Sequence, residues 1–320
     1  MQPAKTPVAM DDTPRPALLA GVDVGGTKIA AVLVSRSGEV IASDTQPVPA
    51  QGGGAVLRAV AAMLESLEHE AGSRVTALGL GAAGIIDSGT GTVLAASELF
   101  TDWVGRRIGT ELESLIERPV TVANDVNAFL VGETRWGALS GARNALGVML
   151  GTGVGGAIML DGRLFEGPSG GAGEIGHTPR HSDHRCTCGG VGHLETVASG
   201  RSIGLRYAER TGGSPLTGEE TARRAAAGDP AALAVFHDAG RALANAVLTA
   251  GTLFDVDHVV IGGGVANAWE FWGPAFDATV AENPPVSRRP LTVRLATLTN
   301  PAIGAATLAL DAVDSTGATA

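Results

Sequence analysis

Apolar residues recur in two similar stretches of this chain. Residues 18–34 and 145–160 each consist of an apolar segment, a glycine-rich turn and a second apolar segment. Glycine suits such turns because tight hairpins need positive φ values there. We interpret both stretches as β-hairpins, and we expect one hairpin to open each of two related halves.

The rest of the first half alternates between helix-like and strand-like segments. Apolar residues at helical spacing from Val56 to Leu67 predict a helix. Residues 75–80 and 120–123 predict buried parallel strands, and a helix is expected over 127–136. Alternation of this kind predicts an α/β architecture with covered sheets.

The second half contains a long helical pattern over residues 230–253. Asp229 is suited to the N-cap and Pro230 to the first helical position, because a capping oxygen and a missing N–H both fit a helix start. Strands are expected over 259–261 and 291–298.

A last helix over 302–313 is expected to return to the first half. We therefore predict a small N-terminal α/β domain of residues 18–126 plus 302–313 and a larger C-terminal α/β domain of residues 127–301. Disordered tails are predicted at 1–17 and 314–320.

Composition and charge limit the possible classes of protein. The 320 residues include 46 glycines and only 4% aromatics, which favours close backbone packing of small side chains. The net charge of −10 argues against a nucleic-acid surface, which needs a basic face. No apolar run reaches the roughly 18 residues of a bilayer span, and the amino terminus lacks the apolar centre of a signal peptide. We expect a cytoplasmic protein with reduced thiols.

Both cysteines of the chain fall within one short segment. Cys186 and Cys188 are bracketed by His177 and His193, and two thiolates with two imidazoles can close a tetrahedral zinc site. The alternative is a loop with buried thiols and surface histidines. A disulfide is disfavoured because one intervening residue strains the ring. Two carboxylates beside these residues, Glu174 and Glu195, are candidates to bind a polyhydroxylated substrate.

Three glycine-rich turns are candidate phosphate sites. Residues 23–28 (D-V-G-G-T-K) and 151–156 (G-T-G-V-G-G) form the turns of the two hairpins. Glycine lets backbone N–H groups approach phosphate closely, and Thr27 can donate a hydroxyl hydrogen bond. A third turn, 262–264, is suited to a nucleoside. Ordinary hairpin and strand-to-helix turns are the alternative in each case.

A carboxylate follows the predicted strand 120–123. Asn124 and Asp125 come at its carboxyl end, where α/β sheets bind ligands. Phosphoryl transfer to an alcohol needs a group that orients the hydroxyl and accepts its proton, and Asp125 fits that role. The alternative is that Asp125 only caps the helix that follows.

These motifs, in this order, resemble those of the ROK family (repressors, open reading frames and kinases) over about residues 18–313. The matching motifs are D-V-G-G-T-K at Asp23, A-N-D-V-N-A at Ala123, G-T-G-V-G-G at Gly151, E-I-G-H at Glu174 and C-T-C-G-G-V-G-H-L-E at Cys186. The resemblance implies the two-domain actin-like ATPase fold, a duplicated ribonuclease H-like unit with an interdomain cleft.

The resemblance also implies an activity, namely phosphorylation of a hexose by ATP at the 6-hydroxyl, with glucose as the leading substrate. Mg²⁺ and a structural Zn²⁺ are the implied metals, and a homodimer or homotetramer is implied. The alternatives are a kinase for another hexose or an N-acetylhexosamine, a polyphosphate-using glucokinase, a sugar-sensing regulator and a non-catalytic sugar-binding protein. A regulator is disfavoured because only about 17 residues precede the first strand, too few for a folded DNA-binding domain.

The family's residue roles transfer to matching positions. Asp125 is the implied base, Asp23 lies near Mg²⁺, and sugar hydroxyls are bound by Asn124, Glu174, His177 and Glu195. The zinc ligands correspond to His177, Cys186, Cys188 and position 193. The implied nucleotide-binding residues are Gly25, Gly26, Thr27, Lys28, Gly151, Thr152, Gly153, Gly263 and Gly264.

Two positions depart from the family pattern. His193 stands where a third cysteine is usual, and because an imidazole reaches farther than a thiolate, we expect the loop to shift slightly. His181 and His184 are alternative fourth ligands that rank behind His193. Glu98 takes the place of an asparagine that contacts sugar ahead of Trp103, and a carboxylate there accepts hydrogen bonds but cannot donate them.

Overall fold

The computed structural model describes residues 17–96 and 101–317. It contains two five-stranded sheets, which confirms the α/β class. We call each sheet together with the helices packed on it a lobe. The first part of the chain contains β1 (Leu18–Val24), β2 (Lys28–Val34), β3 (Val40–Pro47), α1 (Gly53–Ala71), β4 (Val75–Ala82), β5 (Ile85–Asp87), β6 (Thr92–Ala95), α2 (Ile108–Ile116), β7 (Val120–Asn124) and α3 (Asp125–Arg135). Helix α3 is the last of these elements before the second sheet.

The second part of the chain forms the other sheet and its helices. Its elements are β8 (Ala145–Leu150), β9 (Val154–Leu160), β10 (Arg163–Leu164), α4 (Glu195–Ala198), α5 (Gly200–Thr211), α6 (Gly218–Ala226), α7 (Pro230–Phe254), β11 (His258–Gly262), α8 (Trp269–Glu282), β12 (Thr292–Leu295) and α9 (Pro301–Gly317).

The two sheets have the same topology. Their strand orders are β3-β2-β1-β4-β7 and β10-β9-β8-β11-β12. In each sheet an antiparallel hairpin, β1–β2 or β8–β9, continues on one side into an antiparallel strand and on the other into two parallel strands. The predicted hairpins therefore do open two related halves.

Most predicted elements are present, with shifted ends. Helix α3 begins at Asp125, two residues earlier than expected, because the side chain of Asn124 caps it. The Asp229 carboxylate caps α7 as predicted. Strand β12 is shorter than the predicted 291–298, because the backbone N–H groups of Thr297 and Leu298 bond to the Glu133 side chain rather than to a strand.

Helix α9 packs on the sheet of the first lobe through its backbone. A Cβ atom built on Gly21 of β1 would lie 1.9 Å from the carbonyl oxygen of Ala302. One built on Gly79 of β4 would lie 1.9 Å from that of Ala305. Glycine at both positions is therefore what allows the last helix to return to the first sheet. Apolar residues of α1 and α2 cover the opposite face of the sheet.

Within the part of the chain that the structure describes, no helix is long and apolar enough to cross a bilayer.

We predict that Gly79→Ala destabilises the protein, because the new methyl group overlaps the backbone of α9. The expected loss is about 1–3 kcal/mol, typical of an overpacked core. The measurement is urea unfolding followed by circular dichroism. Gly54→Ala is the matched control: it lies inside α1, its added Cβ meets nothing closer than 3.6 Å, and alanine favours a helix. Equal stability of the two variants would contradict this account of α9 packing.

Candidate active site and Cys/His cluster

The first candidate residues lie where β7 meets α3. The Asn124 side-chain oxygen accepts hydrogen bonds from the backbone N–H groups of Val126 (2.8 Å) and Asn127 (3.2 Å). Its amide donates to the carbonyl of Gly84 (2.9 Å). Because Asn124 makes the N-cap, the helix does not need the Asp125 side chain as its cap.

Two carboxylates of the first lobe have raised pKa values. Burial and, after it, the negative charge of Asp125 raise the pKa of Asp23 to about 7, although the charge of nearby Lys28 lowers it. Burial likewise raises the pKa of Asp125 to about 6, against a hydrogen bond from the backbone of Val126. The negative charge of Glu174, from the second lobe, also raises the pKa of Asp125. Proton acceptors with pKa values near neutrality suit acid–base chemistry.

The turn of the first hairpin lies beside these carboxylates. The Gly25 N–H donates to the carbonyl of Lys28 (3.1 Å) and closes the turn. Gly26, Thr27 and Lys28 are exposed. The turn is therefore accessible to a ligand directly after Asp23 on β1.

The second and third glycine turns lie next to each other in the second lobe. Within residues 151–153, the Gly151 N–H donates to the carbonyl of Gly153 (3.0 Å), and Thr152 is exposed. Gly263 has φ 89°, and a Cβ atom there would lie 2.4 Å from the carbonyl oxygen of Leu150. Only glycine fits at 263, while a Cβ atom on Gly264 would meet nothing within 4 Å.

Glu195 connects the second turn to the cysteine segment. Its Oε2 accepts a hydrogen bond from the backbone N–H of Val154 (3.0 Å). Its Oε1 accepts from the Thr187 hydroxyl (3.0 Å) and the Cys186 thiol (3.6 Å). A Cβ atom at 153 would lie 2.5 Å from Glu195 Oε2, so a larger residue there would displace this carboxylate. One carboxylate thus contacts both candidate sites of the second lobe.

His177, Cys186, Cys188 and His193 form a compact group, which we call the Cys/His cluster. Their ligand atoms all lie within 4.8 Å of one another. The two Nδ1 atoms are 3.3 Å apart, Cys188 Sγ lies 3.3 Å from His193 Nδ1, and Cys186 Sγ lies 3.8 Å from His177 Nδ1. Zinc bound tetrahedrally by two nitrogens and two sulfurs has ligand–ligand separations of about 3.3–3.8 Å. The donor set and its spacing therefore fit zinc.

His177 also faces the candidate sugar site. With Nδ1 in the Cys/His cluster, its Nε2 lies 3.7 Å from Oε2 of Glu174. Burial raises the pKa of Glu174, the imidazole of His177 lowers it, and the charge of Glu195 raises it. The His177 imidazole therefore links the Cys/His cluster to Glu174, the carboxylate whose charge raises the pKa of Asp125.

The model of the ROK family matches residues 19–312 of this sequence. This chain belongs to the ROK family. A glucokinase of Streptomyces coelicolor is 32% identical over 268 residues, which cover 78% of this chain and 83% of the relative. An N-acetyl-D-glucosamine kinase of Photobacterium profundum is 30% identical over 258 residues, which cover 77% and 84%.

A solved structure is also similar over nearly the whole chain. The crystal structure of a ROK family glucokinase from Streptomyces griseus, in complex with glucose and AMPPNP, has a TM-score of 0.79 at 31% identity. The match covers 92% of this chain and 100% of that chain. Together these relatives confirm the predicted family, the two-domain actin-like fold and the enzyme class, a sugar kinase.

The structure brings His193, rather than His181 or His184, into the Cys/His cluster. His181 Nε2 lies 3.1 Å from the Thr178 hydroxyl, and His184 Nε2 lies 3.7 Å from Glu209 Oε2. Gly190 makes room for the larger side chain, since a Cβ atom there would lie 2.4 Å from Cε1 of His193.

Two features of the site were not predicted, and one predicted residue cannot be compared with the structure. Glu98 lies outside the described residues. The contact between Thr187 and Glu195 was missed, because nothing in the spacing of a short loop indicates which hydroxyl faces a carboxylate. The role of Gly190 was also missed, although a glycine pair beside a ligand larger than the usual cysteine was an available signal.

We predict one zinc ion per chain after dialysis, and loss of zinc from His193→Ala, because removing one ligand opens the tetrahedral site. Metal content is measured by mass spectrometry of the intact purified protein. His181→Ala is the control and is expected to keep its zinc, because its imidazole lies outside the Cys/His cluster. Equal zinc content in both variants would remove His193 from the ligand set.

Proposed function

We propose that this sugar kinase transfers the terminal phosphoryl group of ATP to the 6-hydroxyl of a hexose, with glucose as the leading substrate. The observation that carries the proposal is Asp125, a carboxylate at the carboxyl end of β7 with a pKa near 6, whose charge interacts with Glu174 of the other lobe. A base at this position lies beside the cleft between the lobes.

Asp125 acts as the general base. Its carboxylate accepts the proton of the sugar hydroxyl while that oxygen forms a bond to the γ-phosphorus and the bond to the ADP oxygen breaks. The cap made by Asn124 fixes the first turn of α3 and thereby the backbone of Asp125. Catalysis is then mostly positioning and charge stabilisation.

The remaining sugar hydroxyls are assigned to groups from both lobes. Glu174 and the Nε2 atom of His177 lie together and present an acceptor and a ring nitrogen. Asn124 uses one amide hydrogen for Gly84, which leaves its second hydrogen for a hydroxyl. Glu195 accepts two hydrogen bonds at Oε1 and one at Oε2, which leaves a lone pair on Oε2 for sugar.

The nucleotide is assigned to the three glycine turns, and the metals to separate sites. Asp23 is assigned to Mg²⁺, which would neutralise triphosphate charge. The Cys/His cluster would hold Zn²⁺, which would fix the orientation of the His177 ring. The nucleotide-binding residues in this proposal are Gly25, Gly26, Thr27, Lys28, Gly151, Thr152, Gly153, Gly263 and Gly264.

An assay of ADP release over a panel of sugars tests the substrate. Glucose is expected to give the highest kcat/KM, with mannose, N-acetylglucosamine and N-acetylmannosamine as competitors. Phosphorus NMR of the product identifies the phosphorylated carbon, and replacing ATP by polyphosphate tests the donor. A preference for N-acetylglucosamine would follow the Photobacterium profundum relative instead. Turnover of none of these sugars would favour a sugar-binding protein.

We predict that Asp125→Asn lowers kcat about 10²–10⁴-fold, the usual contribution of a general base, while sugar still binds. Steady-state kinetics and calorimetric titration with the sugar measure the two effects. Asp161→Asn is the matched control, since its side chain is 90% exposed at a turn. An Asp125→Asn variant with the parent's turnover would remove the base assignment.

We predict that kcat/KM falls as the pH decreases through about 6 to 7, the range of the pKa values of Asp23 and Asp125. The sign follows from the role: a base must be deprotonated, and its raised pKa moves protonation into this range. Because Asp23 and Asp125 interact, the apparent values belong to the pair. Rates measured from about pH 5 to about pH 8 test this, and a flat profile contradicts it.

A further inference from the structure

Glu133 is a carboxylate with no access to solvent near the end of α3. Its side chain accepts a hydrogen bond at Oε2 from the backbone N–H of Ala138 (2.7 Å). At Oε1 it accepts from the backbone N–H groups of Thr297 (3.0 Å) and Leu298 (2.9 Å). Among the described residues, none of the ion pairs includes it. Burying a charge this way is costly unless such hydrogen bonds compensate.

These donors belong to the two passages of the chain between the lobes. Ala138 lies just after α3, on the first passage from sheet to sheet. Thr297 and Leu298 lie between β12 and α9, at the start of the return passage. The Glu133 carboxylate therefore joins two segments that are more than 150 positions apart in sequence, one where the chain enters the second lobe and one where it leaves it.

The backbone packs closely around the Glu133 carboxylate. A Cβ atom on Gly137 would lie 2.1 Å from Glu133 Oε2, so only glycine fits there. A Cβ atom on Gly132 would lie 2.5 Å from the Cα of Gly304, so α3 and α9 touch at their backbones one residue before Glu133.

The same helix carries the proposed base. Asp125 is the first residue of α3 and Glu133 the ninth, a separation of about 12 Å along a rigid helix. A displacement at one end of α3 is therefore transmitted to the other.

We propose that Glu133 is the positioning residue of the interdomain hinge. By holding both passages together, it fixes the axis about which the lobes close and thereby where α3 places Asp125 relative to the ligands of the second lobe. The inference rests on the proposed function for its kinetic consequence, but the hinge itself is tested without turnover.

The test is Glu133→Gln, which keeps the shape but turns an NH₂ group toward backbone N–H donors. The expected result is a folded protein with kcat reduced about 10²-fold, as for a misplaced catalytic group, and a smaller change in KM. Small-angle X-ray scattering is expected to show less compaction than in the parent when sugar and a non-hydrolysable ATP analogue are added.

Thr134→Val is the matched control. Thr134 is a buried neighbour on α3, and its hydroxyl bonds only to the carbonyls of Leu130 and Val131 of the same helix. The Thr134→Val variant is expected to change the stability of the protein without changing kcat or the compaction on ligand binding. A Thr134→Val variant with the same kinetic loss would show that helix stability alone is at issue and would overturn the proposal.

Other outcomes are equally decisive. A folded Glu133→Gln protein with the parent's kcat and compaction overturns the proposal. If Glu133→Gln does not fold, Glu133→Asp replaces it and is expected to show the same loss of compaction, and failure of both to fold assigns the residue to folding instead. If the parent protein becomes more compact on binding nucleotide but phosphorylates no sugar, the proposed function is refuted. The comparison of compaction between the parent and Glu133→Gln still tests the hinge in that case.

Discussion

Direct contact between backbones is the constraint on which this architecture depends. Gly21 and Gly79 let α9 lie against the sheet of the first lobe at a distance that any side chain would prevent. Because α9 is the last helix, its docking there forces the chain to pass between the lobes twice. Gly132 and Gly304 then let the two helices nearest these passages cross in contact. The cleft exists because two similar units share this glycine-rich junction.

The chemistry of the cleft follows from burial more than from neighbouring charges. Desolvation is the largest cause of the raised pKa values of Asp23, Asp125 and Glu174, and mutual repulsion adds to it. Hydrogen bonds from the start of α3 and the positive charge of Lys28 act in the opposite direction. Three carboxyl groups from two lobes can therefore share one region without all carrying full charge near neutral pH.

Much of the fold was predictable because apolar patterning and glycine turns are local signals. Both hairpins, the long helix capped by Asp229 and the returning α9 follow from such patterns. The end of β12 could not be predicted in this way, because it is set by hydrogen bonds to Glu133, which is remote in sequence.

The motifs also named residues that the structure places together, including the Cys/His cluster. Sequence could not show that Asn124 rather than Asp125 caps α3, or that Glu195 spans two sites. Both depend on side-chain direction, which spacing along the chain does not determine.

The space above Gly190 has a consequence for how this loop can vary. The imidazole of His193 occupies the volume that a side chain at 190 would need. A thiolate at 193 would vacate that volume, so the residue types tolerated at these two positions form a coupled pair rather than independent choices. Replacing histidine by cysteine in this protein would keep a zinc-binding donor while leaving a gap, and a side chain at 190 would compete with the imidazole for the same space.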